Sequence, residues 1–280
     1  MPALRRSDSP YLRRRSPAVV ALIVVAVLSV GLNVFQYFSA TREHTVERFH
    51  RLFYNSPSTW QDSRWLGVLT FQNPNDVWIH QEIITEIKPD FIIETGTALG
   101  GSALLWAMVL EQVNPRGKVI TIDIHDQAQV ARLSTENAPP EVVARAANEV
   151  RMLQSMPIWK SRVEFVKGSS TDPAIVAELR RRTKGHKVLV ILDSDHRKQH
   201  VVNELNAYAP MVNPGSYVIV QDTNVNGHPV RKDYGPGPME AIEEFLATNK
   251  EFESDRLRER LLFTMHPKGY LKRIHVATGS

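Results

Sequence analysis

The hydrophobic and polar positions divide the chain into one long apolar run and an alternating region. No charged side chain occurs between Arg15 and Arg42, and the run from Pro17 to Phe38 is built mostly from Val, Ala, Leu and Ile. A helix of ~20 apolar residues spans the ~30 Å hydrocarbon core of a bilayer. The run shows no polar face at any helical period, which argues against a buried core helix. Asn33 and Gln36 fall near its far end, where an interface hydrates them, and Tyr37 suits that interface. A cleaved signal peptide is the competing reading. Its apolar stretch would be long, and Phe38-Ser39-Ala40 places a bulky residue where a small one is wanted. The pattern predicts a basic tail over 1–16, a single transmembrane anchor over 17–38, a juxtamembrane helix or linker over 39–60, and a folded domain over 61–280.

Beyond Asp76 the pattern alternates between helical and strand periods. Ile79, Ile83 and Ile87 form one helical stripe, broken at Lys88-Pro89-Asp90. Residues 91–94 (FIIE) read as a short buried strand, 103–113 as a helix, 118–124 (KVITIDI) as a second strand, and 139–156 as a helix with Val143, Ala147, Val150 and Gln154 at helical spacing. RVEFVKG (162–168) is a third strand, and Thr171-Asp172-Pro173 starts the helix that follows it. HKVLVILD (186–193) is a fourth strand, followed by a helix with Val201, Leu205 and Tyr208 on one face, and SYVIVQD (216–222) is a fifth. Gly235-Pro236-Gly237-Pro238 opens an amphipathic helix, and 261–274 reads as a terminal hairpin or paired strands. Strands separated by helices predict an α/β fold with a mainly parallel sheet, and continuous apolar strands predict helices on both faces.

Composition narrows the classes. The chain has 280 residues, 42% of them hydrophobic, and no cysteine, which excludes a disordered chain, disulfides, thiolate metal sites and a Cys nucleophile. Arg5, Arg6, Arg13, Arg14 and Arg15, set against Asp8, account for the whole formal net charge of +4. The remainder is neutral, so no basic nucleic-acid face is expected; the tail arginines suit anionic headgroups.

In parallel α/β sheets ligands sit beyond the carboxyl ends of the strands. Here those ends are Glu94, Asp123, Gly168-Ser169-Ser170, Asp193 and Gln221-Asp222, four of the five carrying an acid. The first runs on as Glu94-Thr95-Gly96-Thr97-Ala98-Leu99-Gly100-Gly101-Ser102, where glycines allow close backbone approach. Its spacing differs from the dinucleotide G-x-G-x-x-G, and an ordinary strand–helix turn stays open as a reading. Asp123 is placed to accept from a ribose diol or to cap a helix. Ser169 and Ser170 either line an adenine pocket or cap the next helix. If the fourth and fifth strands are neighbours, Asp193 and Asp222 lie close enough to repel unless a cation intervenes. Oxygens of Asp193, Asp222 and Gln221 would suit Mg²⁺, with His196 as a proton acceptor; alternatively Asp195 and His196 begin a helix.

The segments DSRWLGV (62–68), NPNDVWIHQEII, IIETGTALGGSAL, DSDH, NPGSYVIVQDT, GPGPMEAIEEFL and PKGYLKR together resemble the cephalosporin hydroxylase / rhamnosyl O-methyltransferase family, from about Trp60 to Ile274. The resemblance implies a Rossmann-like, doubly wound class I methyltransferase domain that uses S-adenosyl-L-methionine to methylate a hydroxyl of a sugar, glycolipid or other secondary metabolite. It also implies that Glu94, Gly96, Gly100, Gly101 and Asp123 fall on the cofactor site; Thr97 and Ser102 on the same loop, and Ser169 and Ser170 at the third strand end, are expected beside them from their positions. Asp193 and Asp222 fall on a Mg²⁺ site. Where members of that family commonly end the fifth strand in Glu-Asp, this chain has Gln221-Asp222, which removes a charge. Two other readings stand beside it: a metal-dependent oxygenase drawing on His125, His196, His200 and His228, and a non-catalytic membrane-tethered partner. The charge flanking the apolar run favours a cytoplasmic N-terminus, whereas cofactor supply favours a cytoplasmic catalytic domain. Homo-oligomerisation is compatible with either.

Overall fold

The structure, a computed structural model, describes residues 16–274. The arginine-rich tail expected to meet lipid headgroups lies outside the described residues, apart from Ser16. The chain divides into two compact units, Met1–Arg48 and Phe49–Ser280. In the first unit, the side chains described between Pro17 and Phe38 are exposed. They belong to helix α1, Pro17–Asn55, the one helix among the described residues long and apolar enough to cross a membrane. The expected boundary at residue 38 is not a break in the helix. Residues 39–55 contain neither proline nor glycine, so nothing interrupts the hydrogen-bond ladder. In the second unit its last turns are held by Phe263, whose ring lies 5.5, 4.5 and 5.1 Å from those of Phe49, His50 and Phe53.

The rest of the second unit runs β1 (Arg64–Trp65), β2 (Val68–Leu69), α2 (Pro74–Ile87), β3 (Phe91–Thr95), α3 (Gly101–Val113), β4 (Lys118–Asp123), α4 (Gln127–Ser134), α5 (Pro140–Ser155), α6 (Pro157–Arg162), β5 (Val163–Lys167), α7 (Pro173–Thr183), β6 (Val188–Leu192), α8 (Lys198–Tyr208), β7 (Tyr217–Val220), α9 (Pro238–Thr248), β8 (Phe252–Ser254) and β9 (Tyr270–Arg273). Strands β1 and β2 form a small antiparallel hairpin. The main sheet has seven strands in the order β5-β4-β3-β6-β7-β9-β8. Its first five strands are parallel, and β9 and β8 close one edge antiparallel. The chain enters at β3, steps outward through β4 to β5, then crosses back to β6 and β7. The strand order therefore reverses between β3 and β6, where a doubly wound sheet opens its ligand crevice.

Successive strand residues feed opposite layers, as the period of two requires. Ile92, Leu189, Ile191, Tyr217 and Ile219 pack with α2, α3 and Trp106 on one face. Ile93, Val188, Val190, Leu192, Val218 and Val220 pack with Leu179 of α7, Val201 and Leu205 of α8, and Ile242 of α9 on the other. Both faces are covered, which is why these strands are continuous apolar runs.

Two local expectations are corrected, and one helix is added where none was read. The terminal strand pairing with β9 is Phe252–Ser254, whereas residues 261–266 form no strand. There the backbone N–H of Met265 goes to the Asp76 carboxylate at 2.8 Å instead of to a neighbouring strand. Helix α4 arises in a stretch with little apolar periodicity because Asp126 and Gln129 form a capping box. In α5 the buried side chains are Glu149, Val150 and Leu153, while Val143 is exposed.

Gly96 is where the fold tolerates least. It follows β3 at φ +87°, and a Cβ there would meet the Asp193 carbonyl oxygen at 1.9 Å. Gly96→Ala is expected to lower stability by ~3 kcal/mol or more, since a left-handed backbone and a backbone clash add. An unchanged urea midpoint would show that the β3 and β6 ends are not locked together.

Candidate functional site

The carboxyl ends of β3, β4, β6 and β7 lie level with one another. Glu94 pairs in register with Thr121 and Ile191, Gly96 N donates to Ile122 O at 2.8 Å, and Gln221 N donates to Leu192 O at 2.9 Å. Above them opens a cavity of about 630 Å³, within the size range of small-molecule sites. Gly96, Ser102, Asp123, Ser169 and Ser170 line it, together with Asp193, His196 and Asp222.

Asp123 supports the glycine loop. Its Oδ2 accepts from the backbone N–H groups of Thr97 and Ala98, both at 3.0 Å, and Oδ1 accepts from His125 N at 3.0 Å. Each carboxylate oxygen can accept more than one bond, so Asp123, which lines the cavity, keeps lone-pair capacity for a ligand. Thr97 is turned inward, its hydroxyl 2.7 Å from that of Thr121. A Cβ on Gly100 would press on Leu153 and Trp159, and one on Gly101 on the Leu69 backbone; both glycines serve packing under the loop.

Glu94 lies outside the cavity lining. Strand alternation turns it toward α3, where it is fully buried and accepts from Trp106 Nε1 at 2.9 Å and Thr121 Oγ1 at 2.7 Å. Burial raises its pKa from 4.5 to about 7, against the lowering effect of hydrogen bonds from Thr121, Ser102 and Trp106.

The other end of the cavity holds the charged cluster. Asp193, His196 and Asp222 bring one ligand atom each within 4.8 Å of one another, with His196 Nε2 3.0 Å from Asp222 Oδ2 and 4.0 Å from Asp193 Oδ1. Burial, then the charge of Asp222, pushes Asp193 well above the usual carboxylate range. Burial opposes charge on His196, but the two carboxylates outweigh it and raise its pKa to about 9. In turn, although burial works against its charge, His196 holds Asp222 below its ordinary value. His196 is thus a cation near neutral pH. To take a proton it must first lose its own, which requires the carboxylate charge to be offset.

Gln221 is tied to the edge of this cluster through Gln72. Its side chain is 3% exposed, and its Oε1 accepts from Gln72 Nε2 at 3.0 Å. The same Gln72 nitrogen donates to Asp193 Oδ2 at 3.3 Å. Of the expected ligands Asp193, Asp222 and Gln221, the two carboxylates face each other across His196, while the Gln221 amide oxygen is engaged by Gln72. Gln72 was not legible as a site residue; its only neighbouring signal is the Asn73 helix cap. Tyr54, Trp60 and Phe71 also reach the cavity without any motif to announce them.

The remaining histidines are scattered. His200 meets Ser170 and Ser194, each at 3.1 Å, and lies beside Glu204; His228 pairs with Glu240. With one imidazole and two carboxylates, the cluster does not match the two-His, one-carboxylate set of a non-haem iron oxygenase. Two partly exposed carboxylates that repel each other across the cavity wall do fit a divalent cation.

The Glu94 shift gives a pH test. An acid whose pKa is raised in the folded state contributes stability in full below its unfolded value and loses it as pH rises through the folded one. Relative to Glu94→Gln, the parent protein should lose stability between about pH 4.5 and 7, by ~1 kcal/mol per pH unit. Parallel stability curves for the two proteins would refute this.

A family model described as Rhamnosyl O-methyltransferase/CmcI matches residues 57–274. The rhamnosyl O-methyltransferase of Mycobacterium tuberculosis (strain ATCC 25618 / H37Rv) is 32% identical over 264 residues, covering 93% of this chain and 98% of the relative. That of Mycobacterium leprae (strain TN) is 33% identical over 231 residues, covering 81% and 90%. Two solved CmcI structures, an apo form and a Mg-SAM form, each share the fold with a TM-score of 0.52 at 16% identity, covering 77% of this chain and 78% of theirs. The chain, with its α/β methyltransferase fold, therefore belongs to the Rhamnosyl O-methyltransferase/CmcI family and is an O-methyltransferase.

Proposed function

We propose that the protein transfers a methyl group from S-adenosyl-L-methionine to a hydroxyl of a sugar or glycolipid, with a divalent cation held at the charged cluster. One observation carries this reading: a single cavity joins the glycine loop and Asp123 at one end to Asp193, His196 and Asp222 at the other. The cofactor supplies an electrophilic methyl group. The backbone at Gly96 and Ala98, with Ser102, Asp123, Ser169 and Ser170, would hold it. Gly96, Gly100, Gly101, Thr97 and Glu94 act by shaping the loop. The names of the mycobacterial relatives support a rhamnosyl acceptor class.

Asp193 and Asp222 are the residues that would hold Mg²⁺, which would supply positive charge beside an acceptor oxygen. In the chain itself, Gln72 fixes Asp193 and the Asp222 carboxylate orients the His196 ring. With the carboxylate charge offset, His196 becomes able to accept the proton of the acceptor hydroxyl at Nε2. Positioning of the acceptor oxygen supplies a large part of the acceleration.

Isothermal calorimetry should detect S-adenosyl-L-methionine binding to the full chain in detergent, and Asp123→Ala should weaken it by ~10-fold or more through loss of loop support. No heat with the parent protein would sink the proposal. Asp222→Asn should leave cofactor binding within about twofold yet lower kcat on a rhamnoside acceptor by ~100-fold, and chelation by EDTA should act in the same direction.

We further propose that α1 anchors the protein as a single-pass membrane helix, with the catalytic domain on the side where the cofactor is made. The exposed apolar surface of Pro17–Phe38 supports this. Full-length protein should sediment with membranes after high-salt and carbonate washes, whereas a chain lacking residues 1–38 should not. A reporter fused at Ser280 that is active only outside the cytoplasm would overturn the orientation.

A further inference from the structure

Asp222 has an unusual backbone for its type: φ is +52°, in the left-handed region that a non-glycine residue enters at a cost. Something must hold it there, and from that conformation its carboxylate lies 3.0 Å from His196 Nε2. The holder is visible. The Asp222 backbone N–H donates to Nδ1 of His266 at 3.1 Å, and His266 is 2% exposed. Nδ1 accepts, so in the neutral ring the proton resides on Nε2.

His266 is itself fixed from behind by a buried acid. Asp76, 1% exposed near the start of α2, accepts from Met265 N and Asn73 Nδ2 at 2.8 Å each, from the Tyr270 hydroxyl at 2.9 Å and from the Thr264 hydroxyl. The Thr264 hydroxyl then accepts from His266 N at 2.9 Å. Two further bonds dock this segment on the end of β7: Thr223 Oγ1 donates to Pro267 O at 2.6 Å, and Val220 N donates to Gly269 O at 2.8 Å. A buried carboxylate satisfied by four donors is a rigid anchor, since each donor released costs a hydrogen bond that no water replaces there.

We propose that His266, anchored through Asp76, is a positioning residue that holds the Asp222 backbone so that its carboxylate faces His196 and Asp193. The proposal rests on the role given to Asp222 above and adds the device that sets its geometry. His266 touches no reacting group; it acts through Asp222.

The test needs neither cofactor nor acceptor, so its outcome is separable from that of the methyl-transfer reading. In the full-length protein, NMR follows two signals: hydrogen exchange at the Asp222 amide and the ring N–H resonance of His196 bonded to Asp222. His266→Leu keeps the bulk and removes the acceptor; Asp222 amide exchange should speed up by ~10-fold or more and the His196 signal should be lost. His266→Asn presents an oxygen near the position of Nδ1 and should restore both. A His196 signal that persists in His266→Leu, or that is lost equally in His266→Asn, overturns the proposal. If His266→Leu does not fold, Tyr270→Phe serves, removing one donor from Asp76. Faster Asp222 exchange in that variant, with strand amides of β3 and β6 unchanged, supports the anchor, and unchanged Asp222 exchange refutes it.

Discussion

Two carboxylates share a cavity wall with one imidazole between them, and this electrostatic constraint organises the site. Asp193 and Asp222 stand at the ends of adjacent parallel strands, partly enclosed and close enough that each disfavours charge on the other. The proton on His196 supplies the missing positive charge in the protein alone. Neighbouring features preserve the arrangement. Gly96 lets the end of β3 come against the Asp193 backbone, Gln72 braces the Asp193 carboxylate, and the His266 ring holds the Asp222 amide. Adding a methyl at Gly96 or removing the acceptor on His266 changes the distance between charges whose interaction grows steeply in a low-dielectric setting.

The cofactor end follows a different logic. There the backbone is stabilised first and the ligand second. Asp123 spends one oxygen on two loop N–H groups and the other on His125 N, and still lines the cavity. Glu94 sits one layer lower, with its pKa raised to about 7 and tied to Trp106 and Thr121. It therefore joins the loop to α3 and β4 and meets the cavity only through them. The two acids look alike in the sequence, and strand alternation alone gives them different tasks.

Helix α1 runs from Pro17 to Asn55. Its last turns belong to the catalytic unit, where His50 lies 2.9 Å from Asn224 and Tyr54 reaches the cavity. Any account of the acceptor must include this helix end, which lies outside the strand-tip logic that locates the rest of the site.

Much of this protein was legible in one dimension. The five parallel strands, the helices between them, the apolar run and the acids at the strand ends follow from side-chain period and turn chemistry, because those are local properties of the chain. The family motifs pointed to the same cavity. Short elements escaped for the same reason: α4 depends on the Asp126–Gln129 capping box, and β8 on a partner 16 or more residues away in β9. The sequence determined which chemical groups reach the ends of the strands. Only the tertiary structure decided which of them face the cavity and in what charge state. Glu94 was turned aside, Gln221 was engaged by Gln72, and His196 was made a cation by two carboxylates 29 residues apart in the chain. Burial and long-range pairing set those outcomes, and neither leaves a local pattern to read.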